Sequence, residues 1–250
     1  MSTHKEFAYK EIDEEGMETL QVIADANRFN EWMYQTISTQ LQGNILEIGS
    51  GLGNISNYFL RDGHSICLSD LRENYRERLR EQFSDKTNLI DIVNLDLVHP
   101  TFEQEYAQWI GYFDGVFALN VVEHIKDDLQ AIANCRKLLK PGGRLVILVP
   151  AYQVLYNQFD EALEHYRRYT KSTLIKLFDD NQLEVQKSQY FNAAGIMGWV
   201  LSGAILKKKT IPAGQMQLYN RLVPLFKIAD KVLMNQIGLS VIVEGVKQHK

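Results

Sequence analysis

A chain of 250 residues with 45% hydrophobic residues is long enough to build one sizeable α/β domain around a hydrophobic core. The formal net charge of −4 gives no electrostatic reason to expect a nucleic-acid partner, and the basic run at residues 76–80, which is mixed with acids, indicates a solvated helix face. The two cysteines, Cys67 and Cys135, are too few for a disulfide framework and lack partners at metal-ligand spacing, so we expect no metal site.

The predicted elements begin with an N-terminal arm over residues 1–41, of which residues 17–41 predict one or two helices. Its aromatic side chains suit either packing on a sheet or a lid over a ligand. After residue 44, strands and helices alternate, which predicts a doubly wound parallel sheet. The predicted strands cover residues 45–48, 65–69, 89–93, 113–119, 144–149, 183–190 and 239–246, with the last two antiparallel. The turn at residues 140–143, Lys-Pro-Gly-Gly, is expected to end a helix before the fifth strand.

The first predicted strand runs into a glycine-rich turn. Residues 45–54 read Ile-Leu-Glu-Ile-Gly-Ser-Gly-Leu-Gly-Asn, so Gly49, Gly51 and Gly53 separate the strand from a helix start. Such a turn lets backbone N–H groups approach an anionic part of a nucleotide-like ligand. The third glycine of the dinucleotide fingerprint would fall at Asn54, whereas here it comes one residue early. Glycine turns also occur where a strand simply bends into a helix, so the turn alone leaves the ligand open.

Acidic residues follow the second and third predicted strands. Asp70 ends the second strand, and because adjacent parallel strands end at the same edge of a sheet, its carboxylate is expected beside the glycine turn. There it can accept hydrogen bonds from ribose hydroxyls, although NAD enzymes share this feature and a helix cap is the alternative. Asp96 and Leu97 end the third strand, where a surface turn is the alternative.

Four motifs in order, over residues 40–150, resemble those of class I S-adenosylmethionine (SAM)-dependent methyltransferases. The first is Glu47 with the three glycines, in the pattern Glu-x-Gly-x-Gly-x-Gly, and the second and third are the strand-end acids described above. The fourth is residues 113–125, in which Phe-Asp-Gly-Val leads to Asn120 and then to Glu-His-Ile, followed by the Lys-Pro-Gly-Gly turn. The resemblance implies a Rossmann-like α/β fold with seven mostly parallel strands and helices on both faces.

The resemblance also implies SAM as the cofactor and S-adenosylhomocysteine as its product. It implies that the carboxylate of Asp96 accepts a hydrogen bond from the adenine amino group. It also implies that the adenine ring packs between the apolar side chains of Leu71 and Leu97. The residues expected to bind the cofactor are Glu47, Gly49, Ser50, Gly51, Gly53, Asp70, Leu71, Asp96, Leu97 and Asn120. Two alternatives remain at this stage. One is an NAD-dependent oxidoreductase, which Asn54 and Glu47 disfavour, and the other is a non-catalytic SAM-binding protein.

A polar cluster follows the fifth strand, at the edge where ligands bind in open α/β sheets. Residues 165–169 read His-Tyr-Arg-Arg-Tyr and resemble a segment of many bacterial methyltransferases that act on small molecules or lipids. His165 is the candidate catalytic base because imidazole exchanges protons near neutrality, and His124 is a weaker candidate. Tyr166, Arg167 and Arg168 are candidate substrate contacts, the arginines for a phosphate or carboxylate. The alternative is that this run ties the loop to the core through salt bridges with the acids of residues 160–164.

The region after the sixth strand is expected to select the substrate. Residues 191–206 are apolar and precede Lys207-Lys208-Lys209, a pattern that suits an interfacial helix, a pocket wall or a dimer contact. The apolar run is short for a membrane span, and the first residues lack a signal-peptide core, so we expect a cytoplasmic protein with or without peripheral membrane contact.

The expected domain organisation is an arm or lid over residues 1–41 and a methyltransferase domain over 42–250. Residues 191–238 form the substrate-side elaboration of that domain. The expected activity is in-line methyl transfer to a small or lipid-linked metabolite, in which the protein mainly positions the acceptor.

Overall fold

The computed structural model describes residues 14–205 and 213–249 and builds them around a seven-stranded sheet. The strands are β1 (Asn44–Ile48), β2 (Ser65–Ser69), β3 (Leu89–Val93), β4 (Phe113–Leu119), β5 (Leu139–Pro150), β6 (Leu183–Phe191) and β7 (Ser240–Lys247). The helices are α1 (Glu14–Ala24), α2 (Asn27–Ile37), α3 (Ser56–Arg61), α4 (Glu73–Phe83), α5 (Phe102–Glu105), α6 (Asp128–Leu138), α7 (Gln158–Ala162), α8 (Lys171–Asp180), α9 (Gly195–Trp199) and α10 (Ala213–Val232). A π-helical stretch, Val200–Ile205, continues α9.

The strand order is β3-β2-β1-β4-β5-β7-β6. Strand β7 is antiparallel to both of its neighbours, and the other pairs are parallel. The chain runs outward from β1 to β3 and then crosses to β4 on the other side of β1, which makes a topological switch point between β1 and β4. Ligands of open α/β sheets bind outside the carboxyl ends of the strands at such a point. The Rossmann-like fold expected from the sequence is therefore confirmed.

Helices cover both faces of the sheet, so the central strands are apolar on both sides. Successive residues of a strand point to opposite faces. Accordingly, Leu46 and Val116 belong to one buried cluster, with α6 and α8, whereas Ile45 and Phe117 belong to the other, with α2, α3 and α4. The near-continuous hydrophobic runs of β1 and β4 are what burial between two helical layers requires.

The fifth strand differs from its predicted start. It begins at Leu139, directly after α6, and the Lys-Pro-Gly-Gly turn lies inside it as a bulge. Phe113 pairs with Leu139 and Gly115 pairs with Arg144. The residues between Leu139 and Arg144 therefore loop out of the ladder. Gly142 takes a φ of +79° there, which glycine adopts without steric cost.

The helices of the N-terminal arm pack against α10, which belongs to the C-terminal part of the chain. Aromatic rings join them to the sheet: the ring centroids of Trp32 and Phe191 lie 4.4 Å apart, and those of Phe29 and Tyr219 lie 5.7 Å apart. Within residues 14–205 and 213–249, no helix is long and apolar enough to cross a membrane. The predicted basic cluster Lys207-Lys208-Lys209 and the start of the arm lie outside the described residues.

Candidate active site

A cavity of about 1120 Å³ runs along the carboxyl ends of the strands. Its walls come from the segments after β1, β2, β3, β4 and β5, and from α1, α2, α9 and α10. Ligand sites commonly have volumes of about 300–1,000 Å³, so this cavity has room for a nucleotide-sized cofactor and an acceptor together.

The three glycines of the turn after β1 have different roles. All adopt the left-handed region, with φ values of +69° for Gly49, +53° for Gly51 and +76° for Gly53. Gly49 and Gly51 line the cavity, and a Cβ atom on Gly49 would lie 2.5 Å from Cγ2 of Val121. Gly53 does not line the cavity. A Cβ atom there would lie 2.5 Å from the Phe83 ring, so Gly53 serves the packing of the turn on α4.

Asp70 is fixed by the backbone around it. Its Oδ2 accepts a hydrogen bond from the Gly51 N–H at 3.0 Å, and its Oδ1 accepts one from the Arg72 N–H at 3.0 Å. Arg76 donates from Nη1 to the carbonyl oxygens of Asp70 and Leu71. The expectation of a solvated face is therefore wrong for Arg76, which is 6% exposed and secures the loop after β2.

Glu47 lies at the floor of the cavity and is buried. The hydroxyl of Ser56 donates a hydrogen bond to its Oε2. Burial raises the pKa of Glu47 to about 8, because water no longer solvates the charged form. Neighbouring Ser50 also lines the cavity, and its Oγ accepts a hydrogen bond from the Ser69 N–H at 3.2 Å.

The other predicted cofactor residues lie along the same wall. Asp96 follows β3, where its Oδ1 accepts from the Val98 N–H at 2.9 Å. Leu97 is buried beside it, and Leu71 is exposed toward the cavity. Asn120 follows β4 with a φ of +54°. The structure thus brings nine of the ten predicted cofactor residues together, and Gly53 is the exception.

His165 is buried beside the carboxylate of Asp160. Its Nδ1 lies 2.8 Å from Asp160 Oδ1, which also accepts from Nε of Arg168 at 2.7 Å. Burial alone would raise the pKa of Asp160, but the hydrogen bonds and charges of His165 and Arg168 outweigh it, so the pKa lies below its ordinary value. Since an ionised carboxylate can only accept, Nδ1 of His165 carries the proton and Nε2 keeps a free lone pair.

Glu123 faces His165 from the end of β4, and sequence reasoning did not single it out as a site residue. The two side chains approach with His165 Nε2 4.0 Å from Glu123 Oε1, which is too long for a hydrogen bond. Both Glu123 oxygens lack a hydrogen-bond partner among the described residues. Burial raises the pKa of Glu123 to about 8, and burial lowers that of His165 against the opposing effect of Asp160. The sequence signal for Glu123 as a site residue was an acid that follows two valines shortly after the carboxyl end of an apolar strand.

His124 lies against His165 with the ring centroids 4.6 Å apart in an edge-to-face arrangement. Its side chain faces the open space of the cavity, which the surrounding protein encloses. Desolvation by this enclosure, together with the nearby His165, lowers the pKa of His124 to about 3. Both imidazoles are therefore neutral at physiological pH.

The remaining residues of the His-Tyr-Arg-Arg-Tyr run divide between cavity and scaffold. Tyr166 lines the cavity, and its N–H donates to the Glu123 carbonyl at 2.8 Å. Arg168 also reaches the cavity wall, but it is buried in its pair with Asp160 and its guanidinium lies 4.4 Å from the Trp199 ring centroid. Arg167 pairs with Asp128 at 2.6 Å and does not line the cavity. The pair of Arg168 with Asp160 fits the salt-bridge alternative, whereas Arg167 pairs with Asp128, which lies outside the acids of residues 160–164.

The end of the cavity beyond β5 is formed by residues of the 191–238 region, which the sequence predicted as the substrate side without indicating individual side chains. Asn192 follows β6 with a φ of +68°, and its Oδ1 accepts from the Gly195 N–H at 2.8 Å and from the Tyr219 hydroxyl. Trp199 and Ser202 complete this wall. Tyr219 is 27 residues from Asn192 in the chain, and the fold brings the two side chains to the same wall of the cavity.

A family model described as a methyltransferase domain matches residues 20–188. The chain belongs to this methyltransferase family. The predicted resemblance to class I SAM-dependent methyltransferases is thereby confirmed, and this family uses SAM as its cofactor. The family match favours a methyltransferase over the alternative of an NAD-dependent oxidoreductase.

Relatives of known name share part of the chain. A ubiquinone biosynthesis O-methyltransferase from Erwinia tasmaniensis is 26% identical over 115 residues, which are 46% of this chain and 45% of that protein. A lovastatin nonaketide synthase from Monascus pilosus is 33% identical over 108 residues, which are 42% of this chain and 3% of the synthase. The structure of phosphoethanolamine N-methyltransferase 2 from Haemonchus contortus, in complex with SAM, has a TM-score of 0.60 at 15% identity, covering 90% of this chain and 57% of that one.

The residues around the glycine turn fit SAM, which carries a sulfonium and an ammonium group. The carboxyl groups of Asp70 and Asp96 line this wall, where they can accept hydrogen bonds from the ribose hydroxyls and the adenine amino group, and Glu47 lies beside them. Asn30 adds a buried amide oxygen that has no partner among the described residues. Gly51 already donates its N–H to Asp70, so this donor is not free for a phosphate.

Proposed function

We propose that this methyltransferase acts on a small or lipid-linked metabolite and that His165 is its general base. The observation that carries the proposal is the orientation of His165: Asp160 holds Nδ1, and the imidazole faces the cavity that the glycine turn also lines. Bound SAM supplies a methyl group already activated for displacement, so the protein has to position the acceptor and exclude water.

The N-terminal arm supports water exclusion. Leu20 and Ile23 of α1 and Met33 of α2 line the cavity. Leu20 Cδ1 lies 3.4 Å from the place where a Cβ atom of Gly51 would be, so α1 directly covers the glycine turn. The arm therefore acts as a lid over the cofactor in this proposal.

His165 supplies the proton transfer that an oxygen acceptor needs. Its Nε2 would take the hydroxyl proton while the acceptor oxygen bonds to the methyl carbon and the sulfur keeps the electron pair of the broken C–S bond. The neutral imidazole is ready for this step because burial lowers its pKa. The name of the O-methyltransferase relative supports oxygen as the acceptor atom.

Helix α10 supports a lipid-linked acceptor. One face lines the cavity through Gln215, Met216 and Tyr219. The opposite face exposes large apolar side chains that recur at helical spacing, and each is more than half exposed: Leu218, Leu225, Ile228 and Val232. An exposed apolar face of this size marks an interaction surface.

The charges of α10 favour an anionic lipid surface as the partner of this face. The basic residues of the helix are Arg221, Lys227 and Lys231, whereas its acid, Asp230, is buried and accepts hydrogen bonds from the N–H groups of Asn192 and Ala193. An amphipathic helix with apolar and basic side chains lies in the headgroup region of a bilayer. In this proposal, α10 makes the peripheral contact with the membrane surface. Cys67 and Cys135, both buried and free, support a reducing, cytoplasmic setting.

A transfer assay tests the proposed acceptor. The full chain is incubated with methyl-labelled SAM and either a lipid extract or an aqueous metabolite extract, and the products are separated by solubility. We expect label in a lipid-soluble or a small polar product and its loss in His165→Gln. Label in neither extract, with SAM bound, would favour the non-catalytic alternative.

Vesicle flotation tests the membrane contact. We expect the protein to float with vesicles that contain anionic phosphatidylglycerol and to stay in solution with neutral vesicles or at high salt. The double variant Leu225→Ser, Ile228→Ser should lose flotation. Ile110→Ser, an exposed position just before the amino end of β4, is the control and should behave as the wild type. Equal binding by all three proteins would contradict this role of α10.

A further inference from the structure

Three potential metal ligands meet in the cavity wall. Glu123, His124 and His165 each present one ligand atom, and these atoms all lie within 4.8 Å of one another. Two of them follow β4 and the third follows β5. The hydrogen bond from the Tyr166 N–H to the Glu123 carbonyl holds the two segments together.

The carboxylate in this cluster has no partner. Glu123 is fully buried, lines the cavity, and has two oxygens that accept no hydrogen bond from the described residues. Buried polar groups in native proteins are paired, because an unpaired one loses its hydration without compensation. The separation of 4.0 Å between Glu123 Oε1 and His165 Nε2 leaves no direct bond, but one bridging atom can contact both.

The groups behind the cluster are those that support metal ligands. Metal-binding histidines usually donate their other ring N–H to a carboxylate or a backbone carbonyl, which fixes the ring and its tautomer. His165 donates from Nδ1 to Asp160, and Arg168 in turn fixes Asp160. His124 packs edge-to-face on His165, with the ring centroids 4.6 Å apart.

We propose that Glu123, His124 and His165 bind a divalent transition-metal cation that keeps an open position toward the cavity for the acceptor oxygen. Imidazole ligands favour zinc, iron or nickel over magnesium and calcium, and three protein ligands with one open position are typical of catalytic zinc sites. The site departs from the expectation of no metal, because its ligands come from two distant segments and form no spacing motif.

The acceptor's role in this proposal rests on the proposed function. The cation would lower the pKa of a hydroxyl that coordinates it, so the hydroxyl proton could pass to solvent before the cavity closes over the acceptor. The oxygen would then take the methyl group of SAM, and the sulfur would keep the electron pair of the broken C–S bond. His165 would hold the cation when it is present and would act as the general base of the proposed function when it is absent.

Cobalt(II) is the probe for the test, because its visible absorption reports coordination directly. The chelator-treated full chain is titrated with Co²⁺, followed by competition with Zn²⁺, and SAM affinity is measured separately by calorimetry. We expect one Co²⁺ per chain. Glu123→Gln and His124→Gln should each weaken Co²⁺ at least about tenfold, and Asp160→Asn about tenfold, as for other groups behind metal ligands. His64→Gln, a histidine remote from the cavity, is the matched control and should bind Co²⁺ as the wild type does.

The readouts separate this site from the proposed function. Wild-type protein that binds SAM but gives no Co²⁺ spectrum would overturn the cation site, as would equal Co²⁺ affinity in Glu123→Gln and wild type. Co²⁺ binding without methyl transfer to any acceptor would support the site and contradict the proposed function. Circular dichroism verifies the fold of each variant, and His124→Gln, at a position exposed to the cavity, provides a second test if Glu123→Gln does not fold.

Discussion

Asp160 Oδ1 lies 2.8 Å from His165 Nδ1, and both side chains are buried. The same oxygen accepts from Arg168 Nε at 2.7 Å, and Asp160 Oδ2 accepts from the Asn157 N–H at 2.9 Å. One carboxylate therefore sets the imidazole orientation, neutralises a buried guanidinium and caps α7. This relationship connects the stability of the segment after β5 to the chemistry of the cavity.

Asp160→Asn should lower the free energy of unfolding by about 3–5 kcal/mol, because it leaves the buried Arg168 guanidinium without its counter-charge. Urea unfolding measures the change. Asp180→Asn is the matched control. Its partner Lys176 is largely exposed, so a loss of about 0–0.5 kcal/mol is expected there. Similar losses in the two variants would contradict the structural role of Asp160.

His165→Gln should reduce kcat by about 100-fold or more while SAM affinity stays unchanged. The imidazole faces the acceptor's side of the cavity and does not belong to the glycine turn that holds the cofactor, and loss of a positioned base commonly costs at least this factor. Steady-state kinetics and calorimetry with SAM measure the two quantities. His64→Gln should leave both unchanged. Unchanged turnover in His165→Gln would assign His165 to structure alone.

The positions of the strands along the chain could be predicted from the sequence, apart from the start of β5, because buried parallel strands are short apolar runs between glycines and polar turns. Strands β2, β3 and β4 match their predicted bounds. The positions of the glycine turn and of the strand-end acids in the site could also be predicted, because the carboxyl ends of adjacent parallel strands meet at one edge of the sheet.

The sequence predicted residues 191–238 only as a substrate-side region, and it did not predict which of its side chains line the cavity. Glu123, Trp199 and Tyr219 come from distant segments, and only tertiary packing places them around one cavity. The charge pattern also did not predict the burial of Arg76. Mixed charge on a helix predicts a solvent-exposed face, but this guanidinium points inward because the backbone carbonyls after β2 need hydrogen-bond donors.

Gly53→Ala should destabilise the protein by about 1–3 kcal/mol more than Gly63→Ala. Both glycines have positive φ, +76° and +84°, so both substitutions carry similar backbone strain. A methyl group at Gly53 would meet the Phe83 ring at 2.5 Å, whereas nothing lies within 4 Å of one at Gly63. The difference therefore isolates overpacking against α4. Denaturant unfolding measures it, and equal losses would show that Gly53 serves only the turn conformation.

Glu47→Gln should gain stability relative to the wild type as pH rises. Burial raises the pKa of Glu47 from 4.5 to about 8, so between these values the folded protein holds a proton that the unfolded chain has lost. The wild-type contribution of this group is complete below pH 4.5 and is lost as pH rises toward 8. Thermal unfolding without SAM, from pH 5 to about pH 9, measures the trend. A stability difference that is the same at every pH would contradict it.

A crystal structure with S-adenosylhomocysteine tests the central claim most directly, because it locates the cofactor's sulfur relative to the acceptor groups. We expect the ribose at Asp70, the adenine at Asp96 and the sulfur on the side of the cavity that holds Glu123 and His165. A sulfur atom directed away from Glu123 and His165, or a ligand bound outside the glycine turn, would contradict the account.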